Sequence, residues 1–190
     1  MQKIQTANQL SGRATGVFFC AGFGALWLIL SFCALQILSV VAVSGVALGL
    51  TLLLLAAANL YRAARRWPRV PDDPAVGRAF AWINAIEWIA VGITAFTLSR
   101  LHLDAYLMSA ITAIVGLHMF PLGRIFHYPA HYRAGVVMLA WAVASVVFVP
   151  AEHLQGIAAL GTGVILWLSA AATLALAFHA ARQSTDPLTT

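Results

Sequence analysis

The stretch RAFAWINAIEWIAVGITAFTLSR, from Arg78 to Arg100, decides how this chain is read. Between the two arginines, Ala79 to Ser99 carries a single ionisable side chain, Glu87. About 20 apolar residues in helical form cross the roughly 30 Å hydrocarbon core of a bilayer. Arginines at both ends and an apolar middle are the layout of a transmembrane helix.

Five further apolar runs flank this one. They span Thr15 to Leu35, Leu38 to Tyr61, Ala105 to Leu122, Ala134 to Val149 and Leu154 to Ala180. The run from Ala134 is the shortest. A backbone in lipid must satisfy its own hydrogen bonds, so these segments are expected as helices. The reading is an all-α, polytopic membrane bundle: one domain, residues 1–190, with six transmembrane helices as three tandem hairpins. Residues 183–190 form a polar tail, expected to be mobile and cytoplasmic.

Composition agrees. Of 190 residues, 62% are hydrophobic and 9% are charged. A soluble domain carries about 25% charged residues, so the outer surface here is expected to meet lipid. The first run is too long for the apolar part of a signal peptide and has no small-x-small cleavage site after it. Cys20 and Cys33 share one helix and stand about 20 Å apart, too far to bridge.

The formal charge of +5 would suggest nucleic acid in a soluble protein. Here the basic residues sit at helix ends, facing anionic headgroups, and no nucleic-acid partner is expected. Six crossings place Lys3, Arg13, Arg62, Arg65, Arg66, Arg69, Arg78, Arg124, Arg133 and Arg182 on one side and Arg100 on the other. Cytoplasmic loops are rich in Lys and Arg, so both ends are assigned to the cytoplasm, the membrane being the bacterial inner membrane. Pairs Arg13-Ala14, Arg78-Ala79 and Arg133-Ala134 open the odd helices, a short repeat consistent with the hairpin plan.

The loop from Arg65 to Pro74 is punctuated by prolines that neither helix nor strand tolerates. Asp104 is a candidate N-cap for the fourth helix. Pro150 ends the fifth, leaving Glu152 in the first turn of the sixth.

Ionisable groups inside a membrane are costly, which makes Glu87 the first candidate for function. Its neutral acid is the cheaper form in lipid, and Gln would glue helices without titrating. Asn84, Glu87, Val91 and Thr94 share one helix face. Polar stripes run along the second helix (Ser44, Thr51, Asn59) and the sixth (Gln155, Thr162, Ser169, Thr173), and are expected to face the bundle interior. His118 lies six residues before Arg124, and Asn59 six before Arg65, so Asn59, Asn84, Glu87 and His118 are at matched depth. His118 does not share a face with Ser109, Thr112 and Gly116.

His127 and His131 have the i,i+4 spacing of metal ligands, but Pro129 stands between them and no Cys, Asp or Glu is near in sequence. Headgroup contact is the favoured role, and neither a metal site nor a cofactor is expected. Gly45 and Gly49, with Gly22, Gly24, Gly156, Gly161 and Gly163, read as close-packing surfaces.

The stretch from Gly116 to Arg124, GLHMFPLGR, followed by His131-Tyr132-Arg133-Ala134-Gly135, resembles a pattern in small six-helix bacterial integral membrane proteins. The resemblance implies that His118 and Pro121 belong to a signature, and it carries no activity. The hairpin plan also resembles six-helix acid-resistance membrane proteins in outline, without their motifs.

The favoured function is a small proton-coupled transporter or channel with Glu87 as the titrating group. The alternatives are an intramembrane enzyme using Glu87 and His118 as acid and base, and a non-catalytic assembly or stress-related subunit. The balance leans away from an enzyme, because no nucleophile stands obviously beside the pair. The lipid bilayer is the expected partner, and a homo-oligomer is compatible with the chain.

Overall fold

A computed structural model describes residues 6–71 and 73–184. Their regular structure is helical throughout: α1 (Ala7–Ala34), α2 (Val40–Ala64), α3 (Pro74–Arg100), a 3-10 turn (Asp104–Tyr106), α4 (Leu107–Ile125), α5 (Pro129–Phe148) and α6 (Ala151–Ser184). All six α-helices are long and apolar enough to cross a membrane. The expected bundle of three hairpins is the observed architecture.

At the basic end the helices outrun their apolar cores, because capping groups carry them beyond the hydrocarbon. The Thr6 hydroxyl accepts from Gln9 N–H, and the Asp73 carboxylate accepts from Ala75 N–H at 2.8 Å. Pro74 and Pro129 occupy first helical positions, where a missing N–H costs nothing. Starting at Pro129 brings α5 to 20 residues, enough to span. α6 continues to Ser184, so Gln183 and Ser184 of the expected tail are helical, and 185–190 lie outside the described residues. Asp104 does not cap α4. It opens the 3-10 turn, and its carbonyl accepts from Gln155 Nε2 at 2.8 Å.

α6 is the shared centre. On one side it packs with α1 and α2, on the other with α4 and α5, while α3 attaches to α4 and to the 3-10 turn. Close backbone approach makes this packing. A Cβ on Gly163 would stand 2.9 Å from the Gly24 carbonyl, so α1 and α6 cross where neither can carry a side chain. The Trp167 ring lies over Gly24 and Gly49, and its Nε1–H donates to the Ala21 carbonyl at 3.0 Å. Gly45 and Gly22 have open space around them, so the GxxxG pair contributes through Gly49 alone.

The surface is apolar, and the interior is mostly apolar too, built from small residues and leucines such as Leu10, Leu60 and Leu154, with a few buried hydroxyls among them. Trp82, Ile86, Trp88, Ile93 and Phe96 of α3 are all exposed. Ser109, Thr112, Ser145 and Thr162 are buried and pair across helices: Ser109 with Ser145 at 3.0 Å, Thr112 with Thr162 at 2.6 Å. Each pair closes polar groups that hydrocarbon would leave unsatisfied.

Candidate functional site

The α3 helix turns one stripe toward α4. Asn84, Glu87, Val91 and Thr94 on it are half-buried, while Trp82, Ile86 and Ile89 on the other faces are exposed. The 3–4 spacing seen in the sequence produces this stripe. On α4, the Ser109–Thr112–Gly116 face is buried against α5 and α6. His118 stands two residues past Gly116, about 200° around the helix. It is thereby turned to α3.

Glu87 and His118 meet across this seam. Glu87 Oε2 lies 3.2 Å from His118 Nδ1, with side-chain exposures of 16% and 8%. The approach is close in distance and poor in alignment, so Nδ1 has no well-aligned hydrogen-bond partner. Glu87 is the central residue of α3, thirteen residues from Pro74 and thirteen from Arg100. With one proton between them the two groups carry no net charge, either as neutral acid and imidazole or as an ion pair. Gain or loss of a proton would leave an unpaired charge at membrane depth, which is costly. The pair is cheapest when it shares a single proton.

Its surroundings are aromatic on the basic side. Phe80 of α3 packs on Phe126 just past α4, ring centroids 5.8 Å apart. Phe126 also touches His131, at 6.4 Å, and Tyr128 meets His131 edge-on at 5.2 Å. Tyr128 donates to Thr173 of α6 at 3.2 Å, and the Arg13 guanidinium of α1 lies over its ring at 5.2 Å. These contacts of Arg13 and Tyr128 were missed in the sequence, where Arg13 read as a topology charge. The aromatic, basic character of the loop around Tyr128 was the available signal.

Pro121 sits inside α4, one turn beyond His118. It has no N–H for the Leu117 carbonyl and so weakens the helix beside the site.

Other expected members fall elsewhere. Asn84 donates to its own helix, Nδ2 to the Phe80 carbonyl at 2.8 Å. Thr94 shares the seam but lies two turns beyond Glu87. Asn59 does not join: α2 packs on α1 and α6, and Asn59 is exposed, accepting from Arg62 Nη1 at 3.4 Å. The whole α2 stripe faces outward. Thr51 satisfies its hydroxyl on the Ala47 carbonyl at 2.8 Å, so lipid exposure costs it little. On α6 the stripe faces inward and its groups are engaged in bonds such as Thr162–Thr112. His127 takes a left-handed backbone, φ 47°, before α5 begins, so no helix carries both His127 and His131. Among the described residues no three or more His, Cys, Asp or Glu gather as a metal site.

The stretch resembling small bacterial membrane proteins acts in packing. A Cβ on Gly135 would meet the Gly116 carbonyl at 2.7 Å, and one on Gly123 the Tyr132 ring at 2.9 Å. These glycines let α4 and α5 lie against each other and fix the side of α4 on which His118 emerges. Comparisons with protein-family models, with curated proteins and with solved structures found no match to this chain.

Proposed function

We propose that this chain is a small proton-coupled transporter or channel of the bacterial inner membrane, with its basic end in the cytoplasm and the Glu87–His118 pair as its proton site. The observation that carries the reading is the 3.2 Å approach of a carboxylate and an imidazole from two helices at membrane depth. The titratable group facing Glu87 is His118 of α4.

The route follows the α3–α4 seam rather than the bundle axis. Four buried hydroxyls, Ser109, Ser145, Thr112 and Thr162, are closed in pairs, Ser31 on α1 is a lone buried hydroxyl among the described residues, and the α2 stripe faces outward. α3 is the helix that moves most cheaply. None of its residues is fully buried, and its helical neighbour is α4, itself weakened at Pro121. Movement of α3 would separate Glu87 from His118 and change where the proton is held.

The test is proton flux in liposomes with thermal melts in detergent. Glu87→Gln should fold and lose pH-dependent flux, because Gln keeps the shape and cannot titrate. Glu87→Ala should also lose thermal stability. A second reading, a non-catalytic membrane subunit, draws support from the closed polar pairs of the core. It predicts that Glu87→Gln leaves every activity intact. A fully active, pH-responsive Gln variant overturns the proton-site reading.

A further inference from the structure

At the basic end the segment after α2 is stitched back onto the start of α1. Ala7 N–H donates to the Pro68 carbonyl at 2.9 Å. The Asn8 side chain donates to the Val70 carbonyl at 2.7 Å and accepts from Val70 N–H at 3.2 Å. Between loop and helix lies a cleft of about 190 Å³, lined by Ser11, Tyr61, Arg65 and Arg69, with Ala7 and Ala64 buried beneath. Pockets for drug-sized ligands run to about 300–1,000 Å³, so this cleft suits a smaller group.

Its chemistry is that of an anion site. Two guanidinium-bearing residues and two hydroxyl-bearing residues line it, and among the described residues no carboxylate does. Among the described residues neither Arg65 nor Arg69 has an ion-pair partner, and Asp73, the nearest described acid in the chain, caps α3. Guanidinium groups match phosphate oxygens in a two-point fork, and hydroxyls complete such a shell. The cleft lies where α1 begins and α2 ends, the level at which lipid headgroups meet a spanning bundle.

We propose that this cleft binds a phosphate group, presented by an anionic lipid headgroup at the basic face of the membrane. The site is independent of the Glu87–His118 pair. Arg65 and Arg69 grip the phosphate, Tyr61 adds a hydrogen bond, Ser11 Oγ, which donates to the Asn8 carbonyl at 3.2 Å, lines the cleft beside them, and the Asn8 stitch holds the two arginines over α1. Occupancy would tie the α2–α3 loop to α1.

The test uses the purified full chain in detergent, titrated with short-chain phosphatidic acid, short-chain phosphatidylcholine and inorganic phosphate, read by tryptophan fluorescence and thermal melting. Phosphatidic acid should bind saturably and raise the melting midpoint, and phosphatidylcholine should do neither. Arg65→Gln with Arg69→Gln should weaken binding about tenfold or more, as expected for lost charge-assisted hydrogen bonds. Arg62→Gln with Arg66→Gln removes the same two charges at residues outside the cleft, and should change affinity less than about threefold, the screened effect of surface charge. The pair Arg65→Lys and Arg69→Lys keeps the charge and loses the fork, so an intermediate affinity supports the geometry should the Gln variant fail to fold. Equal loss in both Gln pairs, or equal binding of the two lipids, overturns the site. Inorganic phosphate binding with the same variant dependence, and no lipid effect, keeps the phosphate chemistry and overturns the lipid source.

Discussion

Replacing Gly135 by Ala tests the interface that aims His118. In an open helix position this change is favourable by roughly 0.5–1 kcal/mol, because Gly loses more conformational freedom on folding. At Gly135 the new methyl would stand 2.7 Å from the Gly116 carbonyl, 2.9 Å from the Phe120 ring and 3.2 Å from Met119 Cβ. The first of these is backbone of α4, which yields only if the two helices separate. Overpacking of this kind costs about 1–3 kcal/mol, and a backbone obstacle places it toward the upper end. The net is a loss of about 1–2 kcal/mol. Gly22 is the control: nothing lies within 4 Å of its Cβ direction, so Gly22→Ala should gain the full helical benefit. The two variants should differ by about 2–3 kcal/mol, or roughly 5–10 °C in melting midpoint for a chain of this size. Thermal melts in one detergent, read by circular dichroism, measure the gap. Equal midpoints, or a more stable Gly135→Ala, would refute the close α4–α5 approach and the placement of His118 that follows from it.

Three further measurements bear on the same structure. A double-mutant cycle of Glu87→Gln and His118→Asn should give a coupling of about 0.5–1.5 kcal/mol, the range for a hydrogen bond between polar groups in a membrane bundle; a coupling below about 0.3 kcal/mol would mean the two side chains do not interact. Thr112→Val should cost less than about 1.5 kcal/mol, because Thr162 keeps its bond to the Ala158 carbonyl at 2.8 Å, and a loss above about 3 kcal/mol would show that the pair is not self-sufficient. In a variant with Cys20 and Cys33 replaced by Ser, single cysteines at Pro71 and at His102 should be labelled from opposite sides of the membrane. Labelling of both from one side would contradict the six-span arrangement.

Much of the fold was legible because lipid imposes simple rules on a chain. Apolar length and proline positions marked the spans. The stripe on α3 was legible too, since 3–4 spacing puts Asn84, Glu87 and Thr94 on one face whatever packs there. Helix ends were less so: Thr6 and Pro129 start α1 and α5 outside the apolar runs, where hydropathy is silent and capping decides.

The sequence by itself determined six helices long and apolar enough to span a membrane, the charge asymmetry of their ends and the position of each ionisable group along its helix, because these follow from residue counts along one axis. Tertiary structure decided which groups meet, because lateral packing depends on which faces can approach. Depth alone allowed Asn59, Glu87 and His118 to cluster. Packing sent α2 to α1 and α6, leaving Asn59 with Arg62, and set α3 against α4, bringing Glu87 to His118. The deciding contacts are glycine surfaces such as Gly116 on Gly135, whose backbone proximity has no counterpart in hydrophobic periodicity.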